Sequence, residues 1–436
     1  MKKIHALYVL VATQGISLIG SRMSSIAVGI WLYQTQGSAA YLLMIPFFNE
    51  IAAVLFGGIA GFVVDRWKRK HAMIFGDLGQ AVGTAVLLLS VLASQLNVNW
   101  IYVAVAIQGV FSLFESIAAD AATTMMAPDG HRDRVNAIKE MVFPLAGIVA
   151  PVLSGLLYMA LGIIGVLLID FATFLISVIT LLILDIPDPK ATGEQPLKGI
   201  KAFGGETVYG FRYLLRCREL LGLTVYTTLV YFMLNGPLEL VIPYITGRTG
   251  NTATVSIMLG VMNLGAFTGA TLLAFWKKAY SRIPVLFTGL GFSGLMFIAF
   301  GAARTPLLLG VSLFFLMMPL PVTGALFKSI VQRKTPPNAQ GRIFLAISQF
   351  TNTIVPMSFV ITGFLVDRTL EPAVHNPAWA VLQPFFGDRA GAGMGLLLAC
   401  TGVLILVLTI AAAAIPGIHN VESRLPDYQI EDADGA

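Results

Sequence analysis

Charge is scarce in this sequence. Asp, Glu, Lys and Arg make up 12% of its 436 residues, about half of the ~25% found in soluble domains. Hydrophobic residues supply 56% and the mean hydropathy is +0.80, so a water-soluble domain is excluded. Cysteine is nearly absent. Cys217 and Cys400 are too few for a disulfide framework or a four-ligand metal centre. The five histidines are scattered and form no H-E-x-x-H pair. No Walker A stretch occurs, which excludes ATP as the direct energy source. The one G-x-G-x-x-G, "GLGFSG" at 289–294, lies in an apolar run without a flanking strand and reads as helix packing. No cofactor, no metal site and no enzymatic activity are expected.

Long apolar runs stand where the charge is missing. Residues 78–114, 141–169, 249–276 and 390–421 contain no Asp, Glu, Lys or Arg. In lipid the backbone must satisfy its own hydrogen bonds, and these runs have the ~20-residue length of a membrane-crossing helix. Twelve spans are expected, at 6–33, 39–64, 72–93, 100–126, 137–160, 162–186, 219–246, 253–276, 284–303, 306–333, 342–367 and 391–415. The opening "MKKIHALYVL" has signal-peptide character, but its apolar run continues to Tyr33 without a small-residue cleavage site, so it reads as a retained first span.

The net charge of +5 is not a nucleic-acid footprint, because Lys and Arg sit in short loops between spans. They crowd the side that holds both termini, while Arg248, Arg304, Arg368 and Arg389 fall on the other. The positive-inside rule then places both termini in the cytoplasm of a multi-pass cell-membrane protein. The connection 185–218, rich in Pro, Gly and charge, separates six spans from six, and its second half reads as a surface amphipathic helix. The expected division is a bundle over 1–186, a linker over 187–218, a second bundle over 219–415 and a tail over 416–436, whose end "EDADGA" reads as disordered.

The halves repeat. A shift of 208 residues lays "FGGIAGFVVDRWKRK" (56–70) on "LGAFTGATLLAFWKK" (264–278), and the same shift lays Pro128 on Pro336, Arg134 on Arg342 and Gly155 on Gly363. The fold class expected is an all-α membrane protein with twelve transmembrane helices in two pseudo-symmetric six-helix bundles, an arrangement of transporters.

The dense cluster "DRWKRK" (65–70) completes Gly61-x-x-x-Asp65-Arg66-x-x-Arg69-Lys70 between spans 2 and 3. This resembles the signature loop of the major facilitator superfamily. "TQGSA" (35–39), "DRVNAI" (133–138) and "PPNAQGRIF" (336–344) resemble its drug:proton antiporter branch, which includes macrolide efflux proteins and the enterobactin exporter. Gly57 and Gly61, four apart, suit a close helix approach. The resemblance implies a cytoplasmic latch in which Asp65, with Gly61, Arg66, Arg69 and Lys70, faces the start of span 11 near Arg342. Leu273 replaces the acid in the second copy, so no latch is carried over there. Gly147, Pro151 and Gly155 on span 5 resemble the exporters' antiporter motif, with Ala150 and Ser154 where that motif has glycines, and Val105 stands where the family's span-4 Arg motif has its Arg.

Ionisable groups inside the membrane are functional candidates by default. Those within spans are Arg22, Glu50, Glu115, Asp120, Asp170 and Glu239. Arg22 and Glu50 lie at equal depth, roughly 16 Å from the outer end of their helices at ~1.5 Å per residue, and suggest a pair. Glu115 or Glu50 is the expected proton site, with Arg22 as modulator or as a structural partner of Glu50. Asp77, Lys139, Glu140, Asp185 and Lys328, nearer the cytoplasmic ends, read as solvated or snorkelling. Phe111, Phe114, Phe232 and Phe314 are candidates for an apolar substrate cavity. The expected activity is proton-coupled efflux (antiport) of a bulky lipophilic, drug-like compound by alternating access, by a monomer in membrane lipid whose partners are the small-molecule substrate and protons. Export of a siderophore or other endogenous metabolite is the alternative within transport. A lipid scramblase or a transport-dead membrane sensor is the alternative outside it.

Overall fold

A computed structural model describes residues 3–93, 97–126, 132–186, 200–275, 281–336 and 339–427, and every regular element among them is helical. The expectations for the linker between 187 and 199, for Lys277 and Lys278, and for the "EDADGA" tail fall outside the described residues, as do the side chains of Asp65 and of 132–141. Ten helices among the described residues are long and apolar enough to cross a membrane, and a pair bent by 40° brings the number to eleven. One of the ten, Leu145–Ile183, is broken at Gly162 and holds two spans. Twelve crossings result.

Contacts group the chain into two compact units, Met1–Ile200 with Val241–Gly260 and Lys201–Leu240 with Val261–Ala436. The first contains α1 (Lys3–Gln36), α2 (Ala39–Arg66), α3 (Arg69–Leu92), α4 (Val98–Met126) and α5 (Arg132–Ile183). Gly37 at φ 64° turns α1 into α2, where the Ser38 side chain accepts from the Tyr41 N–H at 3.4 Å. In α5 the chain reverses at Gly162, whose φ of 65° and ψ of −173° belong to no helix. Contacts along α1 establish the reversal. Met23 O accepts from Ser154 Oγ at 2.9 Å and Gln34 meets Tyr158 near the break, while Gln14, twenty residues earlier, meets Ser177. The limbs 132–161 and 163–183 therefore run antiparallel, as spans 5 and 6. Ser154, where the antiporter motif has a glycine, uses its hydroxyl on that Met23 carbonyl. Pro151 and Gly147 are buried on the same limb, and Gly155 leaves room for Ser256.

The basic cluster closes helix ends. Arg69 Nη1 donates to the Val64 carbonyl at the end of α2. Lys70 Nζ donates to Leu182 O at 2.8 Å and Leu184 O at 2.9 Å, at the end of α5. The last carbonyls of a helix lack intrahelical donors and carry partial negative charge, so a cation stabilises them. An apolar plug of Leu7, Leu10, Val64, Met73, Phe114, Leu181 and Leu184 fills the same end of the unit.

The second unit contains α6 (Ile200–Arg216), α7 (Arg218–Glu239), α10 (Arg282–Ala302), α11 (Pro306–Met317), α12 (Pro319–Arg333), α13 (Gln340–Leu365), α14 (Glu371–Ala373), α15 (Gln383–Phe386), α16 (Ala392–Ala414), α17 (Pro416–His419) and α18 (Val421–Arg424). Between the units' segments run α8 (Val241–Thr249), in the first, and α9 (Thr252–Phe275), which contributes to both. Span 7, expected unbroken over 219–246, breaks at Leu240 between α7 and α8. Pro237 has no N–H to offer the preceding turn, and the helix bends by 40° there. The amphipathic helix expected after the linker is α6, whose Phe211 and Leu214 pack on Ile343, Ala346 and Ile347 of α13.

Glycines of the repeat act in one copy only. A Cβ at Gly265 or Gly269 meets the Phe314 or Met318 carbonyl oxygen within 2.2 Å, so α9 and the α11–α12 helix touch through their backbones. Gly57 and Gly61, expected to do the same, have no described atom within 4 Å of such a Cβ. In that half the close approach belongs to Gly109 of α4, against the Asn49 backbone.

The chain past α16 is tied down. Glu422 accepts from Ser281 Oγ at 2.7 Å and from the Arg282 and Ile283 N–H groups at 2.9 and 3.2 Å, capping α10. Lys334 Nζ donates to Glu422 O and Leu425 O and pairs with Asp427 at 2.8 Å, while Arg333 reaches Asp427 at 2.7 Å.

Candidate functional site

The site is a ladder of buried polar groups within the first unit. Past its basic first turn, Arg69–His71, α3 is apolar apart from Asp77, Gln80, Thr84 and Ser90, all buried. The first three, at i, i+3 and i+7, share one face. That face meets α4 and the second limb of α5, and α1 reaches the same side chains of that limb. Thr84 Oγ1 donates to Asp170 Oδ2 at 2.9 Å and accepts from Gln108 Nε2 at 2.9 Å. Ser21 Oγ lies 3.3 Å from Asp170 Oδ1 and 3.1 Å from the Ser17 carbonyl, so its one proton serves two acceptors. One rung on, Gln80 Nε2 donates to Glu115 Oε2 at 2.9 Å. At the far rung Ser177 Oγ donates to Asp77 Oδ2 at 2.6 Å and accepts from Gln14 Nε2 at 3.2 Å.

Glycine makes the ladder possible. An added Cβ at Gly76 meets Glu115 backbone and Cβ atoms at 2.6–2.9 Å, and one at Gly79 meets the Phe111 ring at 2.0 Å. The α3 and α4 axes therefore approach closely enough for the short rungs to reach. Asp170 is fully buried and Glu115 half-buried. Among the described residues the partners of Asp77, Glu115 and Asp170 are hydroxyls and amides, not Lys or Arg. A hydroxyl donates to a carboxylate and accepts from a carboxylic acid, so these rungs suit both protonation states.

Several expected residues lie elsewhere. Glu50 is exposed on α2 and makes no hydrogen bond or ion pair among the described residues, so the equal depth of Arg22 and Glu50 does not become a pair. Arg22 is half-buried on α1. Asp120, five residues from Glu115, is exposed on a different face of α4, and Glu239 is half-buried at the end of α7. Asp77, expected to be solvated, is completely buried. Phe111 and Phe114, expected cavity residues, meet Phe75 edge-on at 5.0 and 5.3 Å in the α3–α4 seam, and Phe114 belongs to the apolar plug. Phe232 and Phe314 are half-buried in the second unit, where Phe314 sits edge-on to Phe315 at 5.2 Å. The Arg342 guanidinium, on the first turn of α13, lies over the Tyr209 ring of α6 at 5.2 Å. Arg66 is exposed, and the expectation for Asp65 itself rests on a side chain outside the described ones.

Sequence reading missed Gln14, Ser21, Asp77, Gln80, Thr84, Gln108 and Ser177. The signal was present: Asp77, Gln80 and Thr84 at helical spacing in an apolar span. Asp77 lies only seven residues from the basic cluster's end, which reads as solvated or snorkelling, although aspartate is shorter than the side chains that snorkel.

A family model described as Major Facilitator Superfamily matches residues 10–360. Macrolide efflux protein A of Streptococcus pyogenes is 24% identical over 427 residues, covering 96% of this chain and 97% of that protein. The multidrug efflux pump Tap of Mycolicibacterium fortuitum is 24% identical over 369 residues, covering 80% and 86%. Among solved structures, peptide transporter POT in complex with sulfate superposes with a TM-score of 0.71 at 14% identity, covering 95% of each chain. The nucleoside transporter NupG gives 0.69 at 14%, covering 98% of this chain and 100% of its own.

Proposed function

This chain belongs to the major facilitator superfamily, and from that premise we propose that it exports a bulky lipophilic compound, macrolide-like in size and polarity, in exchange for protons. It is a multi-pass membrane transporter, not an enzyme. The orientation proposed is both termini in the cytoplasm, from the placement of Lys and Arg. The substrate class follows from end-to-end similarity to macrolide efflux protein A together with a drug pump.

The observation that carries the coupling is the ladder, in which the half-buried Glu115 and the buried Asp170 have hydroxyl and amide partners among the described residues. Low-dielectric surroundings disfavour a charged carboxylate. The protonated acid is neutral and cheap to enclose. The ionised acid calls for water or a cationic group. Loading a proton outside and releasing it inside thereby ties the acid's state to the transport cycle. One proton moving inward releases ~2.3 kcal/mol per 100 mV, besides the contribution of the pH gradient. Glu115 is the principal proton site in this reading and Arg22 its modulator, while Asp65 serves the cytoplasmic latch implied by the family loop.

The test is accumulation of a radiolabelled macrolide in susceptible cells expressing the protein. Accumulation falls relative to empty-vector cells and returns when a protonophore is added. Glu115→Gln cells, with equal membrane expression, accumulate as empty-vector cells do. Undiminished accumulation of every macrolide and lipophilic cation tried, with the protein in the membrane, contradicts the assignment.

A further inference from the structure

The rung at Asp77 takes no part in the coupling just described, yet it holds the one buried carboxylate with an orphaned oxygen. Asp77 is completely enclosed. Its Oδ2 accepts from Ser177, but Oδ1 has no partner among the described residues, and neither has Oε1 of Gln14. Both side chains converge on one hydroxyl. Ser177 gives its proton to Asp77 and takes one from the Gln14 amide, and Gln14 lies beside the Asp77 carboxyl. Asp77 Oδ1 and Gln14 Oε1 are thus two buried acceptors without a donor among the described residues, which is unfavourable, and a proton on the carboxyl supplies one.

We propose that Asp77 is a proton-binding site, carrying its proton on Oδ1 and donating it to the Gln14 amide oxygen. The titratable group facing Asp77 is Glu115 of α4, also an acid. α1 contributes Gln14 and the second limb of α5 contributes Ser177, both neutral. The surrounding plug of Leu10, Met73, Phe114 and Leu181 leaves an ionised carboxylate no compensating polarity. Asp77 lies on the third turn of α3, on the end of the unit closed by Arg69 and Lys70. On the orientation proposed above, this is where an inward-moving proton leaves. The proton goes to cytoplasmic water when that end hydrates, and a proton loaded from outside by way of Glu115 replaces it. This transport role rests on the proton-exchange reading, whereas the protonated state rests on the rung alone.

Infrared spectra of the full-length protein in lipid at neutral pH test the protonated state, and transport tests the role. The wild type is expected to show a carboxylic-acid C=O band that is lost in Asp77→Asn and shifted in Ser177→Ala, which removes the donor to that carboxyl. Asp77→Asn keeps the wild-type melting temperature, because its amide donates where the acid did. Uptake driven by a pH gradient falls about tenfold or more in Asp77→Asn, the scale of losing a group that handles the proton, and its pH profile flattens. An acid band unchanged in both variants overturns the protonated site, as does a carboxylate signal that responds to sodium instead. An Asp77 band in a protein whose transport ignores the pH gradient overturns the exchange reading and Asp77's transport role, and upholds the protonated site.

Discussion

Thr84 and Asp170 meet at 2.9 Å inside a membrane bundle, and the threonine is itself held by Gln108. Removing the hydroxyl in Thr84→Val leaves a buried carboxylate one donor short and the Gln108 amide without its acceptor. The expected loss of stability is about 1–3 kcal/mol, read as a lowered melting temperature in detergent. Thr84→Ser restores most of it. If serine is as damaging as valine, the methyl packs and the hydroxyl does not matter.

Gly79→Ala places a methyl 2.0 Å from the Phe111 ring. The helices separate or the ring moves, at roughly 1–3 kcal/mol, and transport falls with stability because the Gln80–Glu115 rung shares the seam. Gly57→Ala, with nothing within 4 Å, is near neutral, within about 0.5 kcal/mol. Adding Phe111→Leu to Gly79→Ala recovers part of the loss in a double-mutant cycle.

These two cases mark what sequence makes legible. Apolar runs of membrane length located the helices, because hydrocarbon imposes its thickness directly on the chain. The break near 161–162 is placed by run length alone, because the charge-free stretch 141–169 crosses it and is too long with its flanks for one span. The break at Leu240 is not legible, since Pro237 inside an apolar span is compatible with a straight helix until its neighbours are known. Depth along the chain singles out Glu115 and Asp170, but it does not tell Asp77, which is enclosed, from Glu50, which is exposed. Depth says nothing about which way a side chain faces, and the two acids face opposite environments. For a related reason sequence does not show that Phe111 packs over Gly79: a ring over a glycine one helix away looks, in one dimension, like any other aromatic residue of the span.

Lys70 caps the end of α5 through Leu182 and Leu184. Lys70→Ala is expected to cost about 0.3–1 kcal/mol and to speed hydrogen exchange at 182–186, while a reporter fused at the C-terminus stays on the same side of the membrane. Lys70→Arg keeps the protection. Inverted topology in Lys70→Ala would show that the residue's main work is orientation.

Glu422 gives the second unit an acid-sensitive tie. Partial burial pulls its carboxyl upward, but hydrogen bonds from Ser281, from the Ile283 and Arg282 N–H groups and from the Arg282 side chain outweigh it and hold the group below the ordinary carboxylate range. A group lowered in the folded state stabilises at pH values above its unfolded range, and the benefit is lost as pH falls through the folded value. Melting temperature is therefore expected to drop on acidification through and below the carboxylate range. Glu422→Gln lowers it at neutral pH and shrinks the acid-dependent part. Equal acid sensitivity in wild type and Glu422→Gln assigns that sensitivity to other groups.

Substrate uptake into proteoliposomes under imposed gradients tests proton exchange most directly. With a lipophilic macrolide, an inside-acid pH gradient is expected to drive uptake through the fraction of molecules whose cytoplasmic face points outward, with protons leaving as substrate enters. Glu115→Gln abolishes the gradient's effect. Uptake that follows a sodium gradient at fixed pH, or that is the same with and without any gradient, contradicts the account.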